Sequence, residues 1–180
     1  MPLATAPNAS IPAGGQTEDA NPQTLYASRP LKNGADLLAW AREAGFKKTL
    51  TPDEMHVTLA FSKAPLAWPD ASTDDVTVPD ASDSLNGTRS IEQLGDEGAI
   101  VLRFESPELT RRWHALCAAG ADWQYPNFKP HVTFTMDAGN IDLSKVAPYA
   151  GELEFGPEVF KEIEDGAADW AEKARASMVG

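Results

Sequence analysis

The sequence predicts an α+β fold with two similar lobes of mainly antiparallel strand, helices packed outside them, and a cleft between. Three observations carry that prediction. Short segments alternate apolar and polar residues with the period of a strand. Two longer segments have helical spacing and recognisable caps. The order strand, helix, His-Val-Thr strand also occurs twice, with Leu25 preceding His56 by the same interval as Ile100 precedes His131. Two copies are too few for a repeat array.

Residues 1–23, rich in Pro, Ala, Gly, Asn and Thr, show no periodicity and read as a flexible lead or linker. Residues 24–180 form a single domain. Thr24–Ser28 is a strand stopped by Arg29-Pro30. Asn33 caps a helix reaching Ala44, with Leu37, Leu38, Ala41 and Ala44 on one face and Gly45 closing it. Met55–Phe61 alternates as a strand. Residues 63–88 are a Pro/Asp/Ser-rich excursion with one strand at Val76–Val78, and the natural candidate for a segment covering a site. Ser90–Leu94 and Ala99–Phe104 flank Gly95-Asp96-Glu97-Gly98 as a hairpin. Ser106 caps a second helix, with Pro107 at its first position, running to Ala119 and stopping at Gly120. His131–Met136 alternates again. Gly151–Phe155 and Glu158–Ile163 read as a last hairpin.

Composition narrows the function. With 180 residues, 42% of them hydrophobic, the chain can build a proper core, and no apolar run approaches the length of a membrane span. The first residues lack the basic start and apolar stretch of a secretory signal. The single cysteine, Cys117, excludes an internal disulfide framework and fits a small core residue in a reducing compartment. A net charge of −12 argues against non-specific binding of long nucleic acids. Five acids and no base over residues 70–83 read as a solvated loop.

The chemistry sits in the two His-Val-Thr words. On a strand, Met55, Val57, Leu59 and Phe61 share a core face, so His56 and Thr58 point together to the other side. Likewise Val132, Phe134 and Met136 face inward, and His131, Thr133 and Thr135 outward. Only three histidines exist, and with 12 Thr and 8 Val in the chain a given His is followed by Val-Thr about once in several hundred trials. A lone copy would be an ordinary strand histidine beside a good strand former. Two copies in equivalent contexts are a catalytic pair. Cleaving a phosphodiester without a metal needs one group to remove a proton from the attacking oxygen and another to protonate the leaving oxygen. Imidazole suits both tasks near neutral pH. The threonine hydroxyls are placed to donate hydrogen bonds to the non-bridging oxygens. His114, beside Trp113 on the second helix, shows no zinc-ligand spacing and reads as a surface residue. No cofactor is expected.

The doubled His-x-Thr on strands resembles the two-histidine (2H) phosphoesterase superfamily, whose members have two pseudo-symmetric lobes with one motif each. The words Leu25-Tyr26-Ala27-Ser28-Arg29-Pro30-Leu31, Met55-His56-Val57-Thr58 and Tyr125-Pro126-Asn127-Phe128-Lys129-Pro130-His131-Val132-Thr133 look like the bacteriophage anti-CBASS phosphodiesterases. That resemblance implies an enzyme that opens cyclic di- and trinucleotide immune messengers, such as 3′,3′-cGAMP, in the cytoplasm of an infected bacterial host. It implies His56, Thr58, His131 and Thr133 as catalytic, with Tyr26 as an active-site tyrosine whose bland alternative is a ring with its hydroxyl at the core's rim. Glu164 and Trp170 match nucleotide-contacting positions, although Glu162 and Asp165 rival Glu164 and Trp170 could simply pack a terminal helix. The ribose 2′-hydroxyl would attack the adjacent phosphodiester, with one histidine as base and the other as acid, unassigned.

Lys129 and Arg29 could balance phosphate charge or be ordinary surface cations. Trp123, Tyr125 and Phe128 could stack a base or pack on the core. The partner is thus a cyclic di- or trinucleotide, with no long nucleic acid and no membrane. The chain is expected to be a monomer, and residues 1–23 either a connection to a larger virion protein or a plain lead. The competing functions are a 2H RNA-processing phosphodiesterase acting on 2′,3′-cyclic phosphates and a sponge that binds cyclic nucleotides without cleaving them.

Overall fold

A computed structural model describes residues 22–81, 89–123, 127–163 and 170–180. In chain order the elements are β1 (Gln23–Pro30), α1 (Gly34–Ala44), β2 (His56–Leu66), β3 (Val76–Val78), β4 (Ser90–Leu94), β5 (Ala99–Arg103), α2 (Pro107–Ala118), β6 (His131–Thr135), β7 (Leu153–Phe155), β8 (Val159–Lys161) and α3 (Trp170–Ser177). Among the described residues, six strands form one sheet in the order β4-β5-β6-β2-β1-β8, while β3 and β7 form a separate pair. All strand pairings among the described residues are antiparallel, so the α+β expectation is met.

The two lobes are β1-α1-β2 and β5-α2-β6, joined where Val57 pairs with Val132 at the middle of the sheet. α1 buries Leu37 and Ala41 and ends at Gly45, whose φ of 105° is left-handed backbone that glycine tolerates. α2 is capped as the sequence predicts: the Ser106 hydroxyl accepts the Leu109 amide at 3.2 Å, and Leu109, Trp113 and Leu116 are buried. Asn33 departs from its expected role. Its side chain does not cap α1 but bonds the β7 backbone, accepting from the Glu154 amide and donating to the Glu152 carbonyl.

Both histidine strands carry a bulge three residues after the histidine. Ala27 faces Ala60 and Ser28 faces Thr58, leaving Leu59 as the extra residue. In the second lobe Ile100 faces Thr135 and Val101 faces Thr133, leaving Phe134 extra. A bulge flips the alternation beyond it. The consequence corrects two side-chain directions read from strict alternation. Phe61 does not join the core face but sits edge-on to the Tyr26 ring at 5.8 Å. Thr135 is buried, donating its hydroxyl to the Lys48 carbonyl at 2.7 Å.

The predicted last hairpin is not one. β7 pairs with β3 and β8 pairs with β1, because Leu153 and Phe155 are needed in the core while Gly156-Pro157 breaks the strand between them. The described part of the 63–88 excursion is tied to the core face of the sheet, not laid over the histidines. Val76 and Val78 enter the core. The buried Glu158 carboxylate accepts from the Ser72 amide and from Arg112 Nε at 2.7 Å, and pairs with Arg29 at 3.5 Å. Arg29 also donates to the Asp74 and Gly156 carbonyls. Cys117 is half-buried and unpaired, so it is less interior than its sequence context suggests. No helix among the described residues is long and apolar enough to cross a membrane.

Candidate active site

The antiparallel pairing of Val57 with Val132 sets the site. With those valines turned into the core, the residues on either side of each point to the opposite face. His56 therefore lies across from Thr133, and His131 across from Thr58. The two motifs form one crossed quartet on a single patch of sheet, and the sequence-predicted pair is brought together.

Each imidazole is anchored in the same way. His56 Nδ1 lies 2.8 Å from the Glu54 carbonyl and His131 Nδ1 lies 3.0 Å from the Lys129 carbonyl, in both cases two residues back. A carbonyl only accepts, so Nδ1 must carry the proton, and Nε2 is the ring nitrogen not tied to the backbone. The anchor of His56 is itself fixed by a short 3₁₀ turn, in which Thr51 and Glu54 form a capping box. In the second lobe Pro130 restricts the backbone between the anchoring carbonyl and the histidine.

The lobes differ in what stands beside each imidazole. Tyr26 Oη lies 2.8 Å from His56 Nε2 and 3.4 Å from Thr58 Oγ1, so tyrosine, histidine and threonine are linked at one side. Burial pushes the Tyr26 phenol above its usual pKa, keeping it a protonated donor. Tyr26 thus stands beside the histidine pair. Lys161, its cross-strand partner on β8, holds Nζ 5.7 Å from the centre of the Tyr26 ring. Beside His131 stands Arg103, directly opposite it in the β5–β6 register. Arg103 Nη1 bonds Glu92 at 3.0 and 3.2 Å, and Ser90 Oγ donates to the same carboxylate at 2.7 Å.

Both histidines titrate below the ordinary value. Burial disfavours the imidazolium in each; Lys161 then pushes His56 further down, and Arg103 and His56 push His131 down, against the opposing pull of the anchoring carbonyls. Glu92 is held below the usual carboxylate range, chiefly by its Ser90 hydrogen bond and then by Arg103.

Arg103 and Lys161 were not legible as site residues, because each is the last residue of an otherwise apolar strand word. Only the register reveals them. Arg29 is no phosphate ligand: it is buried on the core face with Glu158. Lys129 supplies the carbonyl that anchors His131, and its side chain is exposed. Phe128 stacks on Trp113 at 5.5 Å and Trp123 packs edge-on to both, so that aromatic group is packed on α2. Trp170 is 48% exposed at the start of α3, whose Ala171 docks on Ala99 and Met136, and it makes no hydrogen bond or ring contact with the histidine pair. Glu164, Asp165 and Tyr125 lie outside the described residues, while Glu162 is exposed after β8. His114 is exposed, as expected.

The family model described as anti-CBASS protein Acb1 matches residues 23–173. An anti-CBASS protein Acb1 from Caulobacter sp. (strain RHG1) is 45% identical over 167 residues, covering 89% of this chain and 25% of that protein. One from Sphingomonas paeninsulae is 45% identical over 156 residues, 84% of this chain and 24% of that protein. One from Vibrio phage KVP40 is 26% identical over 102 residues, 57% of this chain and 64% of that protein. The chain thus spans about a quarter of the length of the first two. Among solved structures, E. coli LigT complexed with 3′-AMP is 15% identical with a TM-score of 0.46, covering 80% of this chain and 97% of that one.

Proposed function

The chain belongs to the anti-CBASS protein Acb1 family, and we propose on that premise that it is a phosphodiesterase that opens 3′–5′ bonds of cyclic di- and trinucleotide messengers, with His56 and His131 as its general acid/base pair. The observation that carries this reading is the mirrored anchoring: two imidazoles, each with Nδ1–H tied to a backbone carbonyl and Nε2 turned to the same face. Binding alone would need no such pair. The −12 charge disfavours a long RNA substrate, and the phage relative fits a counter-defence role inside an infected bacterial host.

In this reading the substrate phosphate rests over the crossed quartet. One Nε2 removes the proton of the ribose 2′-hydroxyl as its oxygen bonds to phosphorus. The P–O5′ bond breaks, and the other imidazolium gives its Nε2 proton to the departing O5′, leaving a 2′,3′-cyclic phosphate on one nucleotide. Thr58 and Thr133 donate to the non-bridging oxygens as charge gathers there, and Tyr26, whose hydroxyl donates to His56 Nε2 in the free site, is proposed to contact the substrate. Both imidazoles are held toward the neutral form at rest, so the phosphate's own negative charge is what favours the imidazolium needed as acid. Lys129, Glu164 and Trp170 complete the proposed substrate contacts. The domain itself, residues 24–180, is proposed to act as a monomer.

The test is to incubate the protein with EDTA and a panel of 3′,3′-cyclic dinucleotides, cyclic trinucleotides and an RNA ending in a 2′,3′-cyclic phosphate, following products by chromatography. Ring opening of the messengers in EDTA is expected. Turnover that appears only on adding metal would contradict the mechanism, cleavage of the RNA end alone would point to RNA processing, and intact messenger retained on the protein would point to a sponge.

A further inference from the structure

Arg103 faces two ways. It ends β5 directly across from His131, and it also lines a groove of about 520 Å³ that opens at the strand ends, between the start of α2 and residues 127–130. Arg111 and Lys129 line the same groove, with Phe128 as an apolar wall and Glu105 as the one acid among its described lining residues. With Glu92, which pairs with Arg103 and also feels the charge of Lys129, counted beside Glu105, three cations meet two acids, in a chain with 27 acidic and 15 basic residues. Acids are abundant, yet neither Arg111 nor Lys129 forms an ion pair among the described residues. Arg103 spends only Nη1 on Glu92, leaving Nε and Nη2 without a protein acceptor among the described residues.

We propose that this groove is an anion subsite that holds a second phosphate of the substrate while the scissile phosphate lies between His56 and His131. The proposal rests on the phosphodiesterase reading above and adds to it a requirement for a substrate with two phosphates in close succession. The reach fits. Neighbouring strands lie about 5 Å apart, and the two phosphates of a 3′,3′-cyclic dinucleotide are separated by a single ribose. A phosphate over His131 therefore brings its successor within the span of the Arg103 side chain, with Arg111 and Lys129 behind it. Arginine is well matched to such a group because its planar fork presents paired donors to phosphate oxygens.

The experiment compares ligands with one and two phosphates. A His131→Ala protein, chosen to suppress turnover, is titrated with a 3′,3′-cyclic dinucleotide and with a linear dinucleoside monophosphate carrying one 3′–5′ phosphodiester. The same titrations are repeated after adding Arg111→Gln and Lys129→Gln, both at exposed positions. The two neutral substitutions are expected to weaken the cyclic dinucleotide about tenfold or more, since charge-assisted contacts are lost, and the linear ligand by a much smaller factor. Restoring charge with Arg111→Lys and Lys129→Arg is expected to recover most of the affinity.

An unchanged Kd for the cyclic dinucleotide would overturn the subsite. So would equal weakening of both ligands, which would show only general attraction. The protein with both histidines intact is assayed in parallel. If it opens the ring while the Kd fails to move, only the subsite falls; if it opens no cyclic dinucleotide, the functional reading falls and the subsite with it.

Discussion

The two lobes hold their histidines identically and furnish them differently. Both tie Nδ1 to the carbonyl two residues back, both place threonine two residues on, and both bulge one residue later. Beside the imidazoles they diverge. The first lobe sets Tyr26 against His56, with Lys161 over the ring. The second sets Arg103, steadied by Glu92 and Ser90, across from His131. Opposite His56 in the equivalent register stands Pro30, which offers no donor at all. The shared parts are what any acid/base pair needs, namely orientation and one nitrogen not tied to the backbone. The unshared parts differ in kind: a tyrosine hydroxyl on one imidazole with Lys161 beyond it, and an arginine held by Glu92 across from the other.

If the shared parts do the chemistry, the largest effect comes from removing either imidazole. His56→Ala and His131→Ala are each expected to lower kcat by roughly 10²–10⁴-fold, measured on a cyclic dinucleotide, with the circular dichroism spectrum unchanged. A large loss from one and none from the other would break the symmetry. Replacing a threonine comes next: Thr58→Val or Thr133→Val removes a donor to the phosphate and is expected to cost about a hundredfold. Tyr26→Phe removes one neutral hydrogen bond from a single lobe and is expected to cost about tenfold. An equal or greater loss than from the threonines would move tyrosine from a supporting to a central place.

The smallest effects are in the pH profile, and they sharpen the contrast most. Because burial and a neighbouring cation depress both histidines, the optimum of kcat/KM is expected on the acid side of pH 6.5. Arg103→Gln should move one limb of the profile to higher pH by relieving His131, and Lys161→Gln should act on His56. If the profile moves with neither variant, the cations are not near enough to matter. Stability carries the same signature with a definite sign. Below the unfolded pKa of about 6.5 the unfolded chain takes up protons that the buried imidazoles refuse, so stability should fall as pH drops through that window. His56→Ala, His131→Ala protein, followed by denaturant unfolding, should lose that part of the slope.

Strand, helix and cap positions were legible because they depend on local chemistry: Ser106 before Pro107, Gly45 after Ala44, valine alternating with histidine. The histidine pair was legible for a different reason, a word repeated in two equivalent places. What alternation alone could not show is the bulge. Leu59 and Phe134 are ordinary apolar residues at apolar positions, and only the partner strand reveals that each is one too many. That single residue turns Phe61 toward Tyr26 and buries Thr135. Long-range pairing hid the rest. Arg103 becomes a site residue only when β5 is laid against β6, and Arg29, plausible as a phosphate ligand in its word, is consumed by Glu158, more than a hundred residues away. The same distance effect undid the last hairpin, since Leu153–Phe155 and Val159–Lys161 each found a partner elsewhere.

The central claim is that both lobes act on one phosphorus in one step. It is tested most directly by single-turnover rates on a 3′,3′-cyclic dinucleotide, in EDTA, for His56→Ala, His131→Ala and the protein carrying both substitutions. Groups that act as a unit are not additive, so the doubly substituted protein is expected to be about as slow as either single one. A double loss equal to the product of the two single losses, or a single variant that keeps near-normal turnover, would contradict the account.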